Sequence, residues 1–212
     1  MSAQRPSPAA TPVRHGGGPG RPKDLGKRTA ILASAKVLFL EAGYTGTSMA
    51  AIAAAAGVSK LTVYSHFGDK ESLFNTAVHS TCDEMVPDTL FIADACGPLR
   101  EQLLDIARAF FALVSSEAAL ATQRMMLSPS TDDQTRRLFW HAGPQRLNAA
   151  FATCLAPRVA AGELHITDIG LAASQFFCLV KGELHTSMMC GLACQDDPDA
   201  AERHVVGAVE MF

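Results

Sequence analysis

Polar side chains able to hydrogen-bond DNA are concentrated in one short stretch of the chain. They are Lys60, Thr62, Tyr64, His66 and Lys70. A lysine can bond the acceptor atoms of guanine in the major groove of DNA, and hydroxyl groups can donate to phosphate oxygens. This combination of side chains therefore favours recognition of a nucleic-acid duplex.

The residues around these side chains predict two short helices separated by a sharp turn. Residues 50–56 are nearly all alanine, which favours helix, and Gly57 follows where that helix must stop. Ser59 is a good N-cap for the next helix, in which Val63 and Phe67 are spaced to face inward. The second helix then presents its polar side chains outward, and this helix-turn-helix arrangement fits the major groove.

An earlier segment predicts a third helix that covers the other two. Its apolar residues recur at helical spacing, so they form one stripe along the helix. The stripe consists of Ile31, Ala35, Leu38, Phe39 and Ala42. Gly43 ends the predicted helix, because glycine adopts left-handed backbone conformations readily.

Residues 28–78 resemble the DNA-binding domain of the TetR family of bacterial transcriptional regulators. The order and spacing of several short motifs carry the resemblance. These motifs are Gly43-Tyr44, Thr47-Ser48, Ile52-Ala53, Gly57-Val58-Ser59, Tyr64, His66-Phe67, and Lys70-Glu71 before Leu73-Phe74.

The resemblance implies an all-α protein of two domains. A three-helix helix-turn-helix DNA-binding domain is expected over residues 24–70, and a helical ligand-binding and dimerisation domain over residues 71–212. Residues 1–23 are rich in Pro, Gly, Ser and Ala, so a disordered basic arm is expected there. The resemblance also implies a repressor that binds double-stranded operator DNA as a homodimer and is released by a small molecule.

The same resemblance assigns DNA contacts to specific residues. Base edges and the phosphate backbone are expected to meet Arg21, Thr47, Ser48, Ser59, Lys60, Leu61, Thr62, Tyr64, His66 and Lys70. Thr47 and Ser48 are also candidate N-caps for the helix before the turn. For Tyr64 and His66, packing between helices is an alternative role. Ala50 and Ala51 occupy positions that often carry charged residues in the family, so the helix before the turn has less charge to offer DNA.

Charge is unevenly divided along the chain. Residues 1–80 contain nine Lys or Arg against four Asp or Glu, whereas residues 81–212 contain nine against seventeen. The N-terminal part is therefore basic and the remainder acidic, although the formal net charge of the chain is only −3. A basic end that coincides with a helix-turn-helix favours phosphate binding at that end.

Aromatic and methionine side chains of the second domain are candidates for the wall of an apolar effector pocket. They are Phe110, Phe111, Met125, Phe139, Trp140, Phe176 and Phe177. At helical spacing the same residues also fit ordinary core packing, and that alternative stays open. The effector is expected to be a small hydrophobic or amphipathic molecule, and no cofactor is expected.

Two further helices are expected near the C-terminus, over residues 167–191 and 198–212. Their apolar faces are broader than a small domain needs for its own core. In TetR-like proteins the last two long helices pair with their copies in a dimer. The candidate interface residues are Leu184, Met188, Val205, Val209 and Phe212.

Other functional classes have less support in the sequence. The six cysteines form no C-x-x-C pair and there is no secretory signal, which indicates reduced thiols and a cytoplasmic protein. His185, Cys190 and Cys194 have the soft ligands that Cu(I) or zinc prefers, so a metal- or redox-responsive regulator of the same fold is an alternative, although no metal site is predicted. The chain contains no common catalytic motif, so no enzyme activity is expected, and a helical enzyme or adaptor is a further alternative. A run long and apolar enough to span a membrane is not found, and no membrane partner is expected.

Overall fold

A computed structural model describes residues 24–92, 98–192 and 199–212. Regular secondary structure within these ranges is helical, which confirms the predicted all-α class. The predicted arm over residues 1–23 lies outside the described residues. None of the helices in the described ranges is both long and apolar enough to cross a membrane.

The N-terminal unit begins with helix α1, Leu25–Gly46. Asp24 caps it, because the carboxylate accepts hydrogen bonds from the backbone N–H groups of Gly26 and Lys27. The last turn of α1 is kinked at Gly43, where φ is 70°. The predicted stop at Gly43 is therefore a change of direction within one helix.

Three helices, each shorter than α1, follow it and complete this unit. They are α2, Met49–Ala55, α3, Lys60–Phe67, and α4, Lys70–Met85. Their shared core contains Ile31, Phe39, Ile52, Val63, Phe67, Leu73, Phe74 and Ala77. The core thus extends into α4, beyond the predicted domain boundary at residue 70, because α4 covers the open side of the three-helix unit.

Within residues 98–192 and 199–212, the second unit is a bundle of six α-helices. They are α5, Leu99–Ser115, α6, Glu117–Leu127, α7, Asp133–Trp140, α8, Arg146–Ala160, α9, Ile169–Met189, and α10, Ala200–Met211. A short 3₁₀ turn, Asp88–Phe91, follows α4, and a π-helical turn, His141–Gln145, joins α7 to α8. Pro144 lies in this π-helical turn, where the regular α-helical pattern is interrupted because proline lacks the N–H that an α-helix uses.

Phenylalanine side chains fill the core of the second unit. Phe151 and Phe176 are fully buried, and their ring centroids lie 4.5 Å apart. Phe110 and Phe177 pack with centroids at 4.3 Å. Burial of a large aromatic side chain contributes on the order of 1.5–3 kcal/mol, so this cluster is a main source of the unit's stability.

Ion pairs connect α10 and α8 to neighbouring helices. Arg108 of α5 pairs with Glu202 of α10 at 2.5 Å between Nη2 and Oε1. Arg146 at the start of α8 pairs with Asp83 of α4 at 2.6 Å and with Asp88 at 2.9 Å. The second of these networks joins the bundle to the helix that also closes the N-terminal core.

Candidate nucleic-acid interface

The turn before α3 has the geometry that the sequence predicts. Gly57 adopts φ 65°, which reverses the chain after α2. Ser59 then caps α3, since its Oγ accepts a hydrogen bond of 3.1 Å from the backbone N–H of Thr62. The Ser59 and Thr62 hydroxyl oxygens are 2.8 Å apart, so these two side chains are already partners of each other.

Helix α3 has one buried face and one exposed face. Val63 is 0% exposed and Phe67 is 7% exposed, and both pack into the N-terminal core. On the opposite face Leu61 is 79% exposed and Tyr64 is 41% exposed. Leu61 and Tyr64 therefore belong to the solvent-exposed face of α3.

A cation lies on the exposed face of α3, one turn from an aromatic ring. The Nζ of Lys60 is 5.8 Å from the ring centroid of Tyr64. Residues four apart on a helix are neighbours, and a cation over a ring is weakly attracted to it. This contact holds both side chains on the face that also carries Leu61.

Arg28 is a second cation beside α3, and it was not among the residues predicted to contact DNA. It lies in α1, and its guanidinium carbon is 4.4 Å from the ring centroid of Phe67 in α3. The guanidinium lies over the ring, and the attraction between a cation and a ring face favours this position of the arginine next to the end of α3. Arg28 and Phe67 are about forty residues apart in the sequence. No local sequence pattern predicts a contact at that separation.

Lys70 begins α4 and is half-buried. Its Nζ lies 4.3 Å from the ring centroid of Tyr44, and burial lowers the pKa of the ammonium group. The carboxylate of Asp132 opposes that effect by raising the pKa. The ammonium group of Lys70 therefore interacts with Tyr44 and Asp132 of its own chain.

His66 is placed between solvent and the core. The residue is half-buried, and its Nδ1 has no hydrogen-bond partner among the described residues. Its ring centroid lies 6.4 Å from that of Phe67. The two roles considered for His66, packing and phosphate contact, are both compatible with this position.

Thr47 does not have the position predicted for a DNA contact. Its side chain is buried, and its hydroxyl donates to the carbonyl oxygens of Gly43 at 2.7 Å and Leu38 at 2.9 Å. The neighbouring Ser48 is exposed and caps α2 by accepting from the N–H of Ala51 at 3.1 Å. Helix α2 therefore starts one residue later than it would with Thr47 as the N-cap. The Thr47 side chain consequently lies inside the N-terminal unit. Arg21, the remaining predicted contact, lies outside the described residues.

The predicted effector residues fall into separate places. Phe110, Phe111, Phe176 and Phe177 are all buried in the core of the second unit. Trp140 is 55% exposed at the end of α7, which contradicts its predicted place in a pocket wall. The helix ends there, and the widened turn that follows carries Trp140 onto the outer surface.

Two members of the effector set lie elsewhere. Met125 of α6 and Phe139 of α7 are half-buried and line a small cleft that faces α1 and α4. The structure thus separates these two residues from the phenylalanine core with which they were grouped.

The residues predicted for the dimer interface also lie in two different environments. Val205 is 2% exposed and Val209 is 6% exposed, and both face the core of their own chain. They are therefore not available to a partner surface, which corrects their assignment. Leu184, Met188 and Phe212 are half-buried at the edge of the same core.

Cysteines show different environments within the described ranges. Cys82 and Cys154 are buried, whereas Cys178 and Cys190 are exposed. Burial raises the pKa of the Cys82 thiol to about 11, so it is a poor thiolate donor at neutral pH. In the part of the chain that the structure describes, no group of three or more His, Cys, Asp or Glu side chains is arranged to hold a metal ion.

A capped, partly exposed recognition helix attached to a larger helical bundle defines a helix-turn-helix regulator of transcription. Comparison with protein families gives two matches. The model described as bacterial regulatory proteins, tetR family, matches residues 31–77, and the model of the AefR-like transcriptional repressor, C-terminal domain, matches residues 101–212. The chain belongs to the TetR family of bacterial transcriptional regulators.

Solved structures of similar proteins cover most of the chain. A protein from Mesorhizobium loti MAFF303099, assigned to the TetR family, is 30% identical with a TM-score of 0.69, and the match covers 88% of this chain and 94% of that one. The flavonoid-responsive regulator FrrA is 34% identical, also with a TM-score of 0.69 and the same coverage of 88% and 94%. An uncharacterized HTH-type regulator of Bacillus subtilis strain 168, YdeS, is 39% identical over 72 residues, but that match spans only 36% of its length.

Proposed function

We propose that the protein is a transcriptional repressor that acts in the cytoplasm, binds operator DNA as a homodimer and releases it when a small effector binds. The observation that carries the proposal is the exposed face of α3, on which Lys60, Leu61 and Tyr64 are displayed together. A helix with this surface fits the major groove, where a lysine can bond guanine acceptors and a leucine can contact a thymine methyl group.

The remaining DNA contacts divide by position. Ser48 and Ser59 are exposed at the N-termini of α2 and α3, where backbone N–H groups and the helix dipole favour a phosphate. Thr62, His66 and Lys70 flank the reading face of α3, and we assign them to the phosphate backbone. Arg28 joins this group because its guanidinium lies over the Phe67 ring at the end of α3.

A homodimer is needed to place two copies of α3 in successive major grooves on one face of the duplex. The two recognition helices must then lie about 34–36 Å apart, or a multiple of that distance. Exposed apolar side chains on the last two helices support an interface there. Leu171 of α9 is 53% exposed and Met211 of α10 is 78% exposed.

The effector is proposed to be a small, largely apolar molecule with an aromatic ring. Support comes from the aromatic composition of the second unit and from the relative whose name describes a response to flavonoids. The family description of a repressor for residues 101–212 supports repression as the direction of control.

The test is binding to the DNA upstream of the protein's own gene, measured by fluorescence anisotropy with a scrambled duplex of equal length as control. The expected result is a clear preference for the upstream DNA and an affinity that falls steeply as salt rises, because phosphate contacts release counterions. In a reporter assay, expression of the protein should lower transcription from that promoter. Equal binding to both duplexes at defined salt would reject the proposal.

A further inference from the structure

A small cleft lies where the N-terminal unit meets the second unit. It is lined by Lys36 and Leu40 of α1, Phe74 of α4, Thr122 and Met125 of α6, and Phe139 of α7, among others. Its volume is about 70 Å³. Pockets that hold drug-sized ligands have volumes of about 300–1,000 Å³, so the cleft is several times smaller than such a pocket.

The chemistry of the cleft is mostly apolar with one positive charge. Aromatic rings come from three different helices, through Phe39, Phe74 and Phe139. Lys36 carries the single charge among the lining side chains of the described residues, and its Nζ pairs with Glu84 at 2.6 Å. The side chain of Glu84 is 64% exposed, so this partner can be exchanged for another anion from solvent.

The cleft lies beside contacts that attach the bundle to the DNA-binding helices. The Thr45 hydroxyl at the end of α1 donates to the carboxylate of Asp132, at 3.0 Å. The Met125 sulfur is 3.3 Å from the place where a Cβ on Gly43 would lie. The end of α1 is therefore held directly by the loop and helix that form one wall of the cleft.

From the end of α1 the connection to the recognition helix is short. The buried Thr47 hydroxyl bonds the carbonyl oxygens of Gly43 and Leu38, and Ser48 next to it caps α2. A displacement of the last turn of α1 must therefore move α2, and α3 packs directly on α2 through the N-terminal core.

We propose that this cleft is the effector site, and that it takes a small aromatic molecule with one acidic group. The acidic group replaces Glu84 as the partner of Lys36, and the ring inserts among the aromatic side chains. This inference rests on the proposed function, and it names the place and the ligand class that the function leaves open.

The size of the cleft supplies the coupling. Because the cleft is several times smaller than pockets that hold ring-bearing ligands, the acid binds only when α6 and α7 move away from α1 and α4. A ligand shifts an equilibrium by the difference in its affinity for the two states, so it favours the state in which α1 is displaced. By contrast, the phenylalanines of the second core already pack closely, with Phe110 and Phe177 at 4.3 Å.

The first test needs no ligand. A Thr122→Phe substitution places a ring in the cleft and should imitate the effector, lowering affinity for the specific duplex by about tenfold. The matched control is Ala121→Phe, because Ala121 is the adjacent, exposed residue on α6 and does not line the cleft. Circular dichroism and thermal melting establish that both variants are folded.

The second test uses 2-naphthoate and its neutral analogue 2-naphthalenemethanol as probes, and it also covers the case in which Thr122→Phe fails to fold. Calorimetry should show tighter binding of the acid to the wild-type protein, and the acid should release labelled DNA. A Lys36→Met variant should lose the preference for the acid, whereas Arg100→Met, which removes an exposed cation paired with Glu210, should keep it.

The outcomes separate this inference from the function on which it rests. If the wild-type protein shows no preference for the upstream duplex, the proposed function itself fails. If the wild-type protein binds that duplex but Thr122→Phe binds it as tightly as Ala121→Phe, the cleft is not the effector site. Failure of 2-naphthoate to bind at millimolar concentration, or an unchanged preference in Lys36→Met, rejects the assigned ligand class.

Discussion

Lys60 and Leu61 occupy the first turn of α3 on its exposed side, and their side chains differ in what they can recognise. The lysine supplies a charge-assisted hydrogen-bond donor. The leucine supplies an apolar side chain that is 79% exposed. A base pair offers both an acceptor pattern and, in the case of thymine, a methyl group. The pair of residues is thus suited to read neighbouring positions of one duplex.

Substitution of Lys60 by alanine tests the contribution of the charge. We expect Lys60→Ala to weaken binding to the specific duplex by about 1–3 kcal/mol, because it removes a donor to a base edge or to an adjacent phosphate. Titration by anisotropy at fixed salt measures the effect. Arg100→Ala, which removes an exposed cation from α5, serves as the control and should leave the affinity unchanged.

A buried histidine in the bundle predicts a dependence of stability on pH. Burial, and secondarily the charge of Lys181, lower the pKa of His185 below its ordinary value. As pH falls below about 6.5, the unfolded chain binds a proton at this residue while the folded chain does not. The free energy of unfolding should therefore fall as pH decreases below 6.5, and level off below the folded-state pKa.

The measurement is urea denaturation of the wild type and of His185→Gln between pH 7 and pH 5. The variant has no titrating group at this position, so the wild type should lose stability relative to it across this interval. Parallel curves for the two proteins would show that His185 does not remain neutral in the folded state.

Sequence spacing predicts some of these residues well and others poorly. Ser59, Val63 and Phe67 follow from local rules, since a cap and the residues four positions apart define the faces of one helix. Thr47 was misplaced because two adjacent hydroxyl residues are equally good caps, and the choice between them depends on carbonyl groups that only the folded α1 presents.

At the scale of single elements, α9 departs from a regular helix at Gly182. Its φ is 51° and ψ is −157°, values that favour glycine. His204 of α10 fills the space beside it, and its Nε2 lies 2.8 Å from the carbonyl oxygen of Val180. The kink leaves that carbonyl open to a partner from outside the helix, so α9 and α10 are matched to each other in shape and in hydrogen bonding.

Gly182→Ala is expected to destabilise the protein by about 1–3 kcal/mol, since the new Cβ would overlap the His204 ring and the backbone conformation is strained for alanine. Thermal or urea unfolding measures the loss. Gly207→Ala in α10 is the matched control, because no heavy atom lies within 4 Å of the added Cβ and helix propensity favours alanine. An equal loss in both variants would exclude the kink as the cause.

The elements themselves were largely predictable, whereas their irregularities were not. Helices α9 and α10 lie within the ranges predicted for them, residues 167–191 and 198–212, at Ile169–Met189 and Ala200–Met211. The π-helical turn at His141–Gln145 and the kink at Gly182 depend on tertiary neighbours, namely Val78 against Gly143 and His204 against Gly182. A local pattern shows a proline or a glycine there, and it does not show how the chain accommodates them.

At the scale of the whole molecule, helical periodicity identifies an apolar face but not the surface that covers it. Val205 and Val209 lie on such a face, and their own bundle covers it. The surface left for a partner is the other side of α9 and α10, which includes Leu171, Cys178 and Met211.

A charge introduced on that outer side should separate the proposed dimer. Cys178→Arg is expected to sediment as a monomer at micromolar concentration and to lose at least about tenfold in DNA affinity, because a single recognition helix contacts only one half-site. Analytical ultracentrifugation measures the mass. The control is Thr153→Arg on an exposed position of α8, which should remain dimeric. A wild-type protein that is monomeric both alone and on DNA would contradict the proposed assembly.

Selection of bound sequences from a random duplex pool tests most directly whether α3 reads DNA. We expect the wild-type protein to enrich an inverted repeat whose half-sites are centred about one or more helical turns apart. We also expect Lys60→Ala to lose the preference at one position of each half-site while the preferences at the other positions persist. Enrichment of no sequence, or the same enriched sequence with undiminished preference from Lys60→Ala, would contradict the assignment of α3 as the recognition helix.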